Sequence, residues 1–157
     1  MHDQARQLRL LARDEGDVAV VSTLLQDALI PGADMEFKRK TNQFFIVANR
    51  FCWEIQPLDG VTSSDGKPVY ERRLCGICIR HITAVQLHDW PDTRQDELFN
   101  LLALRYVDMA KHAGEVVGLQ FEFSGGSSLR LLTDDIDITL ADLDVGHPTS
   151  LQPAHDV

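Results

Sequence analysis

The sequence predicts an α+β domain: one N-terminal helix packed on a strongly bent, mainly antiparallel β-sheet of about six to eight strands, a sandwich or split barrel akin by analogy to pleckstrin-homology-like barrels. Three observations predict it. Residues 14–32 carry apolar side chains at helical spacing, the period then drops from 3.6 to 2, and Gly, Pro, Asp and Ser clusters separate the alternating runs that follow. At 157 residues the chain fits a single domain, placed at 9–145, with residues 1–8 and 146–157 expected to be loose.

In residues 14–32, Asp14 can cap the first turn, Glu15 and Asp17 favour its positive end, and Pro31 with Gly32 ends the run. Val18, Val21, Leu25, Ala28 and Leu29 form its buried stripe. Met35 and Phe37 then alternate with Glu36 and Lys38, residues 40–43 supply turn chemistry, and residues 44–55 return as the second arm of a hairpin. Residues 56–68 have the composition of an exposed loop. Residues 70–79 and 82–88 read as strands bent near Arg80 and His81.

Residues 93–112 are ambiguous. Their composition favours a helix with Thr93 as its cap, yet Leu98, Leu102, Leu104 and Tyr106 also suit a strand. In residues 117–133, Val117, Leu119, Phe121 and Phe123 alternate with Gly118, Gln120, Glu122 and Ser124 around a glycine turn. A two-residue turn would set Phe123 against Ser128 and mix core with solvent. A three-residue loop over 125–127 instead pairs Phe123 with Leu129, Phe121 with Leu131 and Glu122 with Arg130. Ile136, Ile138 and Leu140 alternate once more against Asp137, Thr139 and Ala141.

Composition excludes several classes. The 15 basic and 24 acidic residues give a net charge of −9, and the excess grows along the chain, from seven of each sign in 1–50 to three against nine in 101–157. Such a surface repels phosphate backbones and anionic lipid, which argues against nucleic acid and membrane partners. No stretch approaches the eighteen or so apolar residues of a membrane span, and the start lacks a secretory signal, so a cytoplasmic protein is expected. Three cysteines in such a chain are expected to be reduced thiols rather than a disulfide framework.

The run NRFCWE (residues 49–54), with LLARDEGDVAVVS (10–22) and the FSGG…LRL hairpin leading into LADL, resembles an uncharacterised bacterial family, domain of unknown function 2948, over about residues 9–145. The resemblance implies a bacterial, cytosolic protein. It brings no activity, cofactor or catalytic residue with it, tips residues 98–107 towards strand, and argues against a shared thiol site at Cys75 and Cys78.

That pair belongs to CGICIRH (75–81), which has the look of a redox or zinc motif. On a helix Cys75, Cys78 and His81 would share a face. The isoleucines and Gly76 favour an extended chain, in which the cysteines point to opposite faces about 10 Å apart at about 3.3 Å per residue, beyond the disulfide reach of about 7 Å. Buried, inert thiols are expected. Asp134, Asp135, Asp137, Asp142 and Asp144 have hard-ion chemistry but no EF-hand spacing, so a solvated run is expected. GGSS (125–128) is a turn, and KRK (38–40) a solubilising hairpin tip.

The remaining candidates are Asn49, Arg50 and Trp53, with Arg72 and Arg73 from the next strand, which together could grip a carboxylate or phosphate in bidentate fashion. The sequence thus points to a non-catalytic binding or assembly module for a protein partner or a small anionic ligand, with homodimerisation as one form of assembly and no cofactor implied. The competing reading is a small metal-dependent hydrolase whose residues, drawn from His81, Asp134, Asp135 and Asp137, meet only in three dimensions. A deep cleft gathering His81 and two aspartates would favour the enzyme, and a shallow apolar patch flanked by arginine the module.

Overall fold

The computed structural model describes residues 7–55, 64, 66–109, 116–144 and 146–149. Along them run β1 (Arg9–Ala12), α1 (Glu15–Leu25), β2 (Leu29–Pro31), β3 (Met35–Lys38), β4 (Gln43–Phe51), β5 (Tyr70–Ile79), β6 (Ile82–His88), β7 (Leu98–Asp108), β8 (Val117–Phe123), β9 (Ser128–Thr133), β10 (Ile138–Asp142) and β11 (His147–Thr149). One helix on an open, antiparallel sheet is the α+β architecture expected from the sequence. The sheet is richer than expected, with eleven strands among the described residues. The extra ones, β1, β2 and β11, are three or four residues long, too short for alternation to announce them. β11 lies where a loose tail was expected. Residues 1–6, 150–157 and most of the expected loop at 56–68 lie outside the described residues.

The sheet runs β1-β10-β5-β4-β2-β7-β8-β9-β6, with β3 beside β2 on the edge of β4 away from β5, and β11 on β5. Between β5 and β6 the chain turns the corner at Arg80 and His81, where His81 takes a positive φ of 61°. β6 thereby joins β9 instead of continuing the first layer. Core side chains repeat in layers across β10, β5 and β4: Ile138, Ile79 and Phe44, then Leu140, Ile77 and Ile46. β8 and β9 supply Leu119, Phe121, Phe123, Leu129 and Leu131 to the same core.

The helix is shorter than its sequence pattern. Asp14 caps it as expected, its Oδ1 accepting from the Asp17 amide at 2.8 Å, and Val18, Val21 and Leu25 are buried. It stops at Leu25, and Ala28 and Leu29 belong to the sheet instead. The Asp27 amide donates to the Leu101 carbonyl at 2.8 Å and the Leu101 amide to the Ala28 carbonyl at 2.9 Å, while Asp27 takes a φ of 64°. Pro31 disfavours helix at the residue before it, so the sheet bonds prevail. Further along, α1 covers the edge of β7, where Ser22 Oγ accepts from the Leu104 amide at 3.0 Å.

The ambiguous 93–112 resolves mainly as β7, preceded by a short turn at Arg94–Asp96, and the helix alternative fails because Phe99, Leu101 and Leu104 face the core while the strand pairs with both β2 and β8. Residues 110–112 lie outside the described residues. In the β8–β9 hairpin the loop is odd-numbered, as predicted, but it spans 124–126. Phe121 pairs with Leu129, Leu119 with Leu131 and Gln120 with Arg130, and the Phe123 amide donates to the Ser127 carbonyl. The predicted register and the observed one share parity, so alternation could not separate them. The turn decides: Gly125 and Gly126 have φ of 89° and 97°, whereas the other loop would have placed Ser127 in the last position, where a left-handed residue is wanted.

Gly32 and Gly16 test this packing. A Cβ on Gly32 would sit 1.7 Å from the Arg94 carbonyl oxygen, whereas one on Gly16 meets only Asp14 Oδ1 at 3.5 Å. Gly32→Ala is expected to destabilise by about 1–3 kcal/mol, and Gly16→Ala to be neutral or stabilising by up to about 1 kcal/mol. Urea midpoints of the two variants check both.

Candidate functional site

The five residues singled out in the sequence fall into two groups on opposite faces of the sheet, because neighbours on a strand point opposite ways. Arg50 and Arg73 face inward and are 0% and 1% exposed. Arg72 lies with Asn49 and Trp53 on the other side, its Nη1 donating to the Asn49 carbonyl and side-chain oxygens at 3.2 Å, with its guanidinium 5.7 Å from the Phe51 ring centroid. Trp53 Nε1 donates to the Gln26 carbonyl at 2.8 Å, tying the end of β4 to the exit of α1. The expected single cationic grip is therefore divided by the sheet.

The inward group is an internal ion cluster. Arg50 Nε and Nη2 donate to the two oxygens of Asp142 at 2.8 and 3.0 Å, and its Nη1 and Nη2 reach Glu54 at 2.8 and 2.9 Å. Arg73 Nη1 donates to Asp142 at 3.0 Å and its Nε to Glu71 at 2.5 Å. Asp142 also accepts from the Leu8 amide at 2.9 Å. Small Ala48 and Cys75 lie level with Asp142 across the sheet and leave room for the carboxylate. Burial alone would raise the Asp142 carboxyl, but the bonds from Arg50, Leu8 and Arg73 outweigh it and hold the group below its ordinary value. Burial opposes the charge of Arg50 and Arg73 too, and their carboxylate bonds likewise prevail. Both guanidiniums are committed to internal partners, which leaves them a structural part.

Cys75 and Cys78 lie on opposite faces of β5, as the strand reading requires, Cys75 buried and Cys78 half-buried. Burial pushes the Cys52 and Cys75 thiols up to about 12 and raises Cys78 as well, which suppresses the nucleophilic thiolate. Of the aspartates, Asp142 is in the ion cluster, while Asp135 and Asp137 approach His81 Nε2 to 3.8 and 3.7 Å. That grouping is open to solvent, with His81 49% and Asp135 73% exposed. Among the described residues no three His, Cys, Asp or Glu are placed to hold a metal ion.

A different place gathers binding chemistry. An open hollow of about 390 Å³ lies between β3 and β6, floored by Met35, Phe44 and Leu129 and walled by Phe37, Val85, Leu87 and Trp90. Trp90 is fixed by stacking on Phe99 (4.8 Å, 16°) and by an edge contact with Phe123 (5.8 Å). Arg39 and Arg94 stand at the hollow with the single acid Glu36, and neither arginine makes an ion pair among the described residues. Gly32 positions Arg94, because only a residue without a side chain lets the 94–96 turn lie against 32–34, where the Gly32 amide donates to the Glu97 carbonyl at 2.9 Å. Sequence reasoning read Arg39 as part of a solubilising tip and missed Trp90 and Arg94. Their convergence depends on the β5–β6 corner, for which alternation carries no signal beyond the bend itself.

An open, antiparallel α+β barrel with an apolar, arginine-flanked hollow is the class that fold and site define. A family model described as "Protein of unknown function (DUF2948)" matches residues 8–155, and the chain belongs to that family. No curated protein and no solved structure matches it. Among the described residues no helix is long and apolar enough to cross a membrane.

Two measurements address the ion cluster and the thiols. A carboxylate held low in the fold contributes stability in full above its ordinary value of 3.8 and loses it as pH falls through the lower folded value. Unfolding free energy is therefore expected to drop steeply below about pH 4, and Asp142→Asn to cost about 3–5 kcal/mol at pH 7 while flattening that acid limb. In native chain at pH 8, a disulfide reagent is expected to label Cys78 slowly and Cys52 and Cys75 not at all, with all three reacting in guanidinium; fast labelling of a buried pair would contradict the thiol assignment.

Proposed function

We propose that this chain is a non-catalytic binding module of the bacterial cytosol, and that the hollow between β3 and β6 is its contact site for an apolar group carrying a negative charge. The observation that carries this reading is the pairing of an aromatic-lined hollow with Arg39 and Arg94, two cations that make no ion pair among the described residues of a protein of net charge −9. Pockets that recognise ligands combine an apolar lining with a few placed polar groups, and guanidinium suits carboxylate, sulfonate and phosphate geometry. Arg50 and Arg73, by contrast, are neutralised within the fold. A shallow apolar patch flanked by arginine favours a module over an enzyme. Three free cysteines fit a reducing compartment.

An apolar sulfonate dye, 8-anilinonaphthalene-1-sulfonate, tests the site. Saturable binding to the native chain is expected, weakened about tenfold by Arg94→Ala, and weakened further by Arg39→Ala and by added salt. Melting temperatures should stay unchanged, because Arg94 meets Gly32 through its backbone. Binding insensitive to both substitutions would overturn the assignment.

A further inference from the structure

The hollow is also the seam of the barrel. Starting from β3 and passing through β4, β2, β7, β8 and β9, the sheet returns at β6, and there it fails to close. Among the described residues β3 pairs only with β4, and β6 only with β9. The two edges start together, the Ile82 amide donating to the Asn42 carbonyl at 2.9 Å beside the β3–β4 turn. Beyond that point the hollow lies between them, lined by Met35, Phe37 and Arg39 on one side and Val85 and Leu87 on the other.

Unpaired edges invite pairing, and proteins ordinarily blunt them with lysine, proline or inward charge. β6 has one such device, a register shift between Ile82 and Ala84. From Ala84 to His88 it is regular and carries no Lys, Arg, Asp, Glu or Pro, and Leu87 is 49% exposed. Charge lies instead around the hollow beside it, in Arg39 and Arg94.

Resting on the hollow as the binding site, we infer that the edge of β6 accepts an extended segment of a partner protein in which acidic residues alternate with apolar ones. Backbone groups of the segment pair with β6, its apolar side chains enter the hollow, and its carboxylates meet Arg39 and Arg94. Five regular residues offer about 16 Å of edge at about 3.3 Å each, so the edge pairs with about five residues of the accepted segment. A second copy of this chain fits less well, because a two-fold pairing of β6 with β6 brings the same arginines of both copies towards one seam.

The experiment uses the full chain and a capped six-residue peptide alternating glutamate with valine and leucine. Expected are displacement of 8-anilinonaphthalene-1-sulfonate, at least tenfold slower hydrogen exchange at amides within Ala84–His88, and about tenfold weaker peptide binding in Arg94→Ala. Of two peptides methylated at alternate backbone nitrogens in opposite registers, the one whose methylated nitrogens face β6 should fail to slow that exchange, while the one methylated on its outer edge should still slow it. Dye binding that needs the arginines, with a peptide that neither competes nor protects β6, overturns the strand inference and leaves the hollow standing. Failure of both probes removes both readings. Equal binding of the methylated peptides overturns backbone pairing, and protection of β6 by concentration-dependent dimerisation without peptide assigns the edge to a second copy.

Discussion

A carboxylate inside a barrel has to be answered, and Asp142 is answered from three directions. It accepts from Arg50 on β4, Arg73 on β5 and the Leu8 amide ahead of β1, so one side chain at the end of β10 ties four parts of the sheet together. Removing an ion of such a group strands the others away from water, which costs far more than the intact set contributes over an apolar replacement. The cluster therefore acts chiefly as a register pin. Sliding β10 by one residue would turn Asp142 outward and Leu143 inward, leaving two guanidiniums facing each other between Ala48 and Cys75.

Much of this could be read from the chain. The N-cap at Asp14, the hairpin at 35–51, the bend at Arg80 and His81 and the odd β8–β9 loop all rest on local chemistry, and local chemistry is what a sequence displays. The ion cluster was legible in principle: Ile136, Ile138 and Leu140 continue in step to Asp142, and Phe44, Ile46 and Ala48 to Arg50, so charges stood on faces already known to be buried. Length hid the rest. β2 and β11 are three-residue strands that exist only because longer ones run beside them, and the helical stripe of 14–32 ran on past Leu25 because Ala28 and Leu29 are buried in the sheet for reasons unrelated to helix period. Trp90 and Arg94 join the hollow through a corner and a glycine contact, neither of which any window of sequence reports.

Edges are treated unequally in this fold. The free side of β7 lies under α1, with Ser22 substituting for a missing strand at the Leu104 amide, and β5 gains β10 and β11 along its outer side. The seam between β3 and β6 receives no such cover from the described residues. Its floor is part of the same core that holds the barrel, since Phe44 and Leu129 belong to both. Occupancy of the hollow and rigidity of the core are thus mechanically linked through shared side chains.

The pairing of β1 with β10, Arg9 opposite Ala141, joins segments far apart in the chain, so β1 waits for its partner until β10 has been synthesised. Until Asp142 has left the ribosome, Arg50 and Arg73 lack their shared counter-ion, and the end of the barrel they occupy has no stable dry state. Earlier hairpins can form as they emerge, but this part of the sheet is completed only once β10 has been made, which makes a chain terminated before β10 a carrier of unburied strands and a natural client for chaperones and proteases.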